Sequence, residues 1–163
     1  MLAVAAAGLF SAHAAVAEEN GTFTALASMV HDYTTIEHAA GTIVGGASEG
    51  TMTVLASSGD PFVTGEHGHV TCVVYGKSSA AGLELEAPCT LATAAEDELY
   101  LVSKRRVGDV EAGGGGDGAI ELLGGSGKYA GATGTCTYDT SYLANDRLVT
   151  MTECAWRRSA AAQ

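Results

Sequence analysis

The chain has 163 residues, 47% of them hydrophobic and only 17% charged, with 22 glycines and 2 prolines. At this length about seven-tenths of the unfolded surface can be buried, so one ordinary core is within reach and wholesale disorder is excluded. A formal net charge of −11 excludes nucleic acid as a partner, since no surplus of Lys and Arg exists to displace counterions, and it disfavours docking on anionic lipid.

Met1 to Ala17 is an alanine-rich apolar run ending in Ala15-Val16-Ala17, a small-x-small cleavage pattern, immediately before Glu18-Glu19-Asn20. It predicts a signal peptide over residues 1–17 and a single β-barrel domain over 18–163, the mature chain keeping about 146 residues. The run lacks a Lys or Arg ahead of its apolar core; an amino-terminal helix of a cytoplasmic protein is the alternative. The run is too short to span a membrane comfortably, and no other stretch approaches the roughly 18 apolar residues of a span.

Strand periodicity then dominates, with no convincing helical stretch. Thr22 to Tyr33 places Phe23, Ala25, Ala27, Met29, His31 and Tyr33 on one face. A short segment at Thr42-Ile43-Val44 ends in Gly45-Gly46; Thr51 to Leu55 follows, closed by the turn residues Ser57-Ser58-Gly59-Asp60-Pro61. His67 to Tyr75 is rich in Val and Tyr, and Leu83 to Leu91 alternates Leu with Glu. Glu98–Arg106, Ala119–Leu123, Ala132–Tyr142 and Arg147–Arg157 complete the series, the last two as a hairpin turned at Leu143–Asp146. Gly113–Gly118 reads as a mobile loop tip and Ser159–Gln163 as a frayed tail.

Eight or nine short strands fit an all-β sandwich or barrel, and closure into an antiparallel eight-stranded barrel removes every exposed edge. Such a barrel is filled by side chains or holds one small ligand.

The four cysteines, Cys72, Cys89, Cys136 and Cys154, form no C-x-x-C pair. Of the three possible pairings, Cys72–Cys89 and Cys136–Cys154 are favoured, because each joins consecutive strand candidates. Two disulfides imply a secreted or periplasmic protein; four buried free thiols in a cytoplasmic core are the alternative.

The glycine-rich segment Gly124 to Gly134 fails as a nucleotide site. A P-loop needs glycine at Leu122 and a hydroxyl residue at Tyr129, and a dinucleotide fingerprint needs glycine at Ala130 with a helix after it. The segment instead resembles the G-G-[ST]-G-x-[FY]-x-G-A-x-G turn of the allene oxide cyclase and dirigent barrels and of small secreted bacterial proteins related to them. Gly125, Ser126, Gly127, Tyr129, Gly131, Ala132 and Gly134 carry the match. Physically, the glycines permit positive φ in a tight crossing and Tyr129 can pack across the barrel end. The resemblance implies an eight-stranded barrel with an apolar lumen, often dimeric or trimeric. It also implies guided cyclisation or coupling of reactive intermediates without a metal or organic cofactor.

His67-Gly68-His69 sets two imidazoles about 7 Å apart on one strand face, which with His31, His38 or Glu66 would begin a metal site. A cupin-like set needs a carboxylate soon after the second histidine, where Thr71-Cys72-Val73-Val74 stands. No metal and no cofactor are therefore expected.

Site candidates are polar residues sharing a strand face with apolar ones. His31 and Tyr33 continue the Met29 face, Tyr75 continues Val73, Arg105 continues Leu101, and Glu153 lies with Val149 and Met151. With those faces turned inward, Glu153, Arg105 and His31 become the catalytic candidates, and Tyr33, Tyr75, Met29, Leu101 and Met151 the ligand-binding ones. A buried Glu153 would have a raised pKa and serve as a general base; an Arg105–Glu153 pair at the barrel mouth is the structural alternative. Lys104-Arg105-Arg106 is either a solvated strand end or an anion-binding rim. The expected function is cofactor-independent isomerase, cyclase or lyase chemistry on a small hydrophobic molecule in the lumen. A non-catalytic hydrophobic-ligand barrel, or a filled structural barrel, is the alternative.

Overall fold

The computed structural model describes residues 18–80, 82–105 and 116–159. The proposed signal segment Met1–Ala17, Arg106, the glycines 113–115 and the tail after Ser159 lie outside the described residues. Eight strands run in meander order: β1 (Glu18–His38), β2 (Gly41–Ser57), β3 (His67–Ser79), β4 (Gly82–Thr93), β5 (Glu98–Arg105), β6 (Gly116–Gly125), β7 (Ala132–Leu143) and β8 (Arg147–Ser159). Each pairs antiparallel with the next, and β8 pairs with β1 to close the barrel.

The expected break at Gly45-Gly46 does not occur. Residues 41–57 form one strand, which is why nine apolar runs become eight strands. A Cβ at Gly46 would lie 2.0 Å from the Asp32 carbonyl oxygen on β1; the missing side chain lets two backbones approach, where the sequence suggested a turn. Curvature comes from two register irregularities, at Thr24/Ala25 opposite β2 and at Tyr100/Leu101 opposite β6. In each the partner strand carries an extra residue, Leu55 and Leu123, and such bulges bend and twist a strand toward closure.

One end of the barrel is sealed by aromatics. Phe62, from the β2–β3 loop, is fully buried and stacks on Phe23 at 3.9 Å between ring centroids. Tyr129 and Trp156 flank it at 5.3 and 5.8 Å. The glycine-rich segment supplies Tyr129 through a 3-10 turn, Gly127–Tyr129. Gly127 sits at φ 54°, and a Cβ there would overlap Asp97 Oδ1, so the turn requires glycine for conformation and for space. Three loops are tied together over this plug: Lys128 Nζ pairs with Glu66, the Lys128 amide donates to Asp97 Oδ1, and Arg158 Nη1 donates to the Lys128 carbonyl.

Both expected disulfides are present, Cys72–Cys89 and Cys136–Cys154, each between directly opposed residues of neighbouring strands. The four sulfurs are buried on the inner face. Loops of 17 and 18 residues correspond to about 3 kcal/mol per bridge in the chain-entropy account. Replacing Cys136 and Cys154 by alanine is expected to lower unfolding free energy by about that amount, with a melting point roughly 6–12 °C lower. Urea denaturation checks this, and an unchanged midpoint would contradict it.

Candidate functional site

The inner face is set by strand parity, and the cysteines mark it. On β3 the inward series is Val70, Cys72 and Val74; on β8 it is Leu148, Thr150, Thr152, Cys154 and Trp156. Tyr75 and Met151 therefore point outward, 60% and 43% exposed, and Glu153 is exposed with them. The inward orientation expected for these three is corrected: the outer wall carries apolar side chains too, so hydrophobicity did not distinguish its faces. Glu153 has lost the burial on which its role as general base was argued.

The remaining candidates lie on the inner face. Met29, Tyr33, Leu101 and Arg105 line a cavity of about 100 Å³ between the aromatic plug and the opposite end. Met52, Val70, Val74, Leu85, Ala87, Ile120, Leu148 and the Cys72–Cys89 bridge complete its apolar wall. Most of its polar groups gather toward the mouth, near the carboxyl ends of β1, β5 and β7: Tyr33, Ser48, Ser103, Arg105, Tyr138, Thr140 and Tyr142, with Thr150 and Thr152 on β8 deeper in. Among the described residues no carboxylate lines it.

His31 stands above this cluster, its ring stacked on Tyr33 at 4.4 Å and edge-on to Tyr142 at 5.5 Å. The threonines satisfy one another or the backbone, Thr140 and Thr150 sharing a 2.8 Å hydroxyl contact and Thr152 donating to the Ala25 carbonyl. Arg105 reaches inward from the end of β5 and is 4% exposed. Its Nε donates to the Asp117 carbonyl at 3.1 Å and its Nη2 to that of Gly116 at 2.6 Å, while Nη1 is buried without a partner among the described residues.

The expected Arg105–Glu153 pair is absent, because the two side chains lie on opposite sides of the barrel wall and on strands that are not neighbours. Lys104, alternating outward, pairs with Glu121. His67 and His69 are exposed on β3, and among the described residues no group of three His, Cys, Asp or Glu side chains is placed to hold a metal ion.

Tyr138, Tyr142, Ser48 and Met52 were missed by the sequence reading. The parity of Cys136 on β7 carries the signal for two of them, since positions 138 and 142 share its face. Gly118 then makes room: a Cβ there would lie 2.2 Å from Tyr138 Cζ, so the ring covers its cross-strand neighbour and leans toward Arg105.

Burial, reinforced by the neighbouring Tyr142 phenol, pushes Tyr33 up to about 12. Burial likewise raises Tyr142, with the Arg105 guanidinium pulling the other way. Both phenols are thus neutral hydrogen-bond donors through the physiological range. An acid whose folded value lies above its unfolded value near 10 weakens the fold as pH rises from that value toward 12. Stability is expected to fall across this window, and Tyr33→Phe to flatten the slope; alkaline chemical denaturation of both proteins checks it.

No protein-family model and no curated protein matches the chain. Its fold is similar to that of the pterocarpan synthase dirigent protein GePTS1, with a TM-score of 0.53, 11% identity, and coverage of 93% of this chain and 91% of that one. At that identity the likeness concerns architecture: this chain has a dirigent-like, closed eight-stranded barrel.

Proposed function

We propose that the barrel binds one small, predominantly apolar molecule in its lumen, entering at the mouth formed by Tyr33, Tyr142 and Arg105. The observation that carries this reading is the cavity itself: a mostly apolar wall, a sealed far end, and the guanidinium and phenol groups gathered toward one rim. That distribution suits a ligand site, where a few placed polar groups orient a largely hydrophobic guest. Its 100 Å³ is below the roughly 150 Å³ of apolar cavities that hold benzene. The guest is accordingly a short chain, or a single ring whose outer edge stays at the mouth. The similar dirigent protein is named a pterocarpan synthase, which supports a small-molecule guest for this architecture.

A cofactor-independent isomerase, cyclase or lyase is the second reading, favoured by the packing of His31, Tyr33 and Tyr142 at the mouth. In that scheme a neutral phenol donates a proton to the guest, the imidazole accepts one, and the dry wall restricts conformers. Export to a secreted or periplasmic location is part of the proposal. It is supported by the two bridges and by the lack of any helix among the described residues long and apolar enough to cross a membrane. Exposed apolar residues on the outer wall, Val73 and Tyr75 among them, support dimer or trimer formation.

Toluene is a suitable neutral probe. At a hundredfold excess over its dissociation constant a lumenal guest stabilises the fold by about 2.7 kcal/mol, raising the melting point roughly 5–11 °C. Ala87→Leu fills the cavity and is expected to abolish the rise, whereas Glu153→Gln, on the outer wall, leaves it intact. A wild-type melting point indifferent to toluene would overturn the reading.

A further inference from the structure

We propose that Arg105 anchors an acidic head group, so that the guest of this barrel is a small monocarboxylate with a short aliphatic or single-ring body. The inference rests on the lumenal-binding reading and specifies its ligand class.

The buried guanidinium carries a full positive charge, yet its two partners are the neutral carbonyls of Gly116 and Asp117. Among the described residues, ion pairs join Lys104 to Glu121, Lys128 to Glu66 and Arg158 to Glu19, and none involves Arg105. A buried charge without an opposite partner is destabilising, as is a buried donor without an acceptor. Both deficits fall on the same side chain, and its Nη1 is the orphaned atom. An anion bound at the lumen mouth corrects both at once; a neutral carbonyl corrects only the second.

The fork is already held in position. Nε and Nη2 fix two of its corners, a Cβ on Gly116 would come within 3.3 Å of Cζ, and the Tyr138 ring lies 5.9 Å from Cζ. Little side-chain freedom remains to be lost on binding, which favours affinity. Among the described residues the cavity wall contributes no carboxylate to repel an anion. The net charge of −11 acts mainly from the outer surface and is screened over about 8 Å at physiological ionic strength, so the local guanidinium dominates at contact distance.

Size and donor count select among anions. One free Nη1, in a cavity that Tyr33, Tyr138 and Tyr142 also line, suits a singly charged carboxylate. A phosphate, with more charge and more acceptors, would leave most of its oxygens unpaired. With the carboxylate at the mouth, the apolar body extends inward against Leu101, Ile120, Met52 and Leu148.

The test compares pairs matched in carbon skeleton, benzoate with benzyl alcohol and butyrate with butanol, by calorimetry on the purified protein. A hydrogen bond to a charged group corresponds to roughly 10- to 100-fold in affinity, so each acid is expected to bind at least tenfold more tightly than its alcohol. The preference should persist in 0.5 M NaCl and disappear in Arg105→Met. Should that variant lose its fold, the Arg105 guanidinium signals of the wild-type chain replace it, moved by benzoate and not by benzyl alcohol in NMR spectra. Equal affinity for acid and alcohol, a preference erased by salt, or one that survives Arg105→Met in a folded protein would overturn the anchor while leaving lumenal binding in place. Failure of all four compounds to bind would overturn both.

Discussion

The seam between the first and last strands is the constraint on which the rest of the molecule depends. Thirteen consecutive register pairs, from Glu18 opposite Ser159 to Val30 opposite Arg147, join β1 to β8. Without that ladder the sheet would present two long edges, each a row of unpaired backbone groups open to association with another chain. With it, every strand has two neighbours and alternation acquires an inside and an outside. The cavity, the aromatic plug and the inward reach of Arg105 follow from the resulting parity.

The lumen is divided along its axis. At the sealed end Phe23, Phe62, Tyr129 and Trp156 fill the cross-section, with the Trp156 Nε1 buried and without an acceptor among the described residues, and Lys128 gathers Glu66, Asp97 and Arg158 over them. At the mouth the same strands carry phenols, hydroxyls and a guanidinium with an unused donor. The end that closes the barrel contributes buried aromatic area, and the other end carries a buried guanidinium whose Nη1 finds no acceptor among the described residues.

Much of this was legible in the sequence because β1 is half wet: its alternation placed Met29, His31 and Tyr33 on the inner face correctly. The glycine-rich turn was legible too, since its glycines and Tyr129 answer specific needs of backbone and packing at the barrel end. What failed was parity on β3 and β8. Val73, Tyr75 and Met151 are apolar yet exposed, so hydrophobicity could not separate the two faces there. The cysteines could have done so, because cysteine is among the residue types most often fully buried. Taking Cys72, Cys136 and Cys154 as inward markers would have excluded Tyr75, Met151 and Glu153 and found Tyr138 and Tyr142. The orphaned Nη1 of Arg105 was beyond sequence reasoning, since it depends on which carbonyls the β6 backbone happens to present.

Methionine methyl groups offer the most direct test of a guest-holding lumen, because Met29 and Met52 line the cavity while Met151 lies on the outer wall. In methyl NMR spectra recorded during titration with a small aromatic guest, the account requires saturable shifts of the Met29 and Met52 signals with Met151 unmoved. Shifts confined to Met151, or none at any of the three, would contradict it.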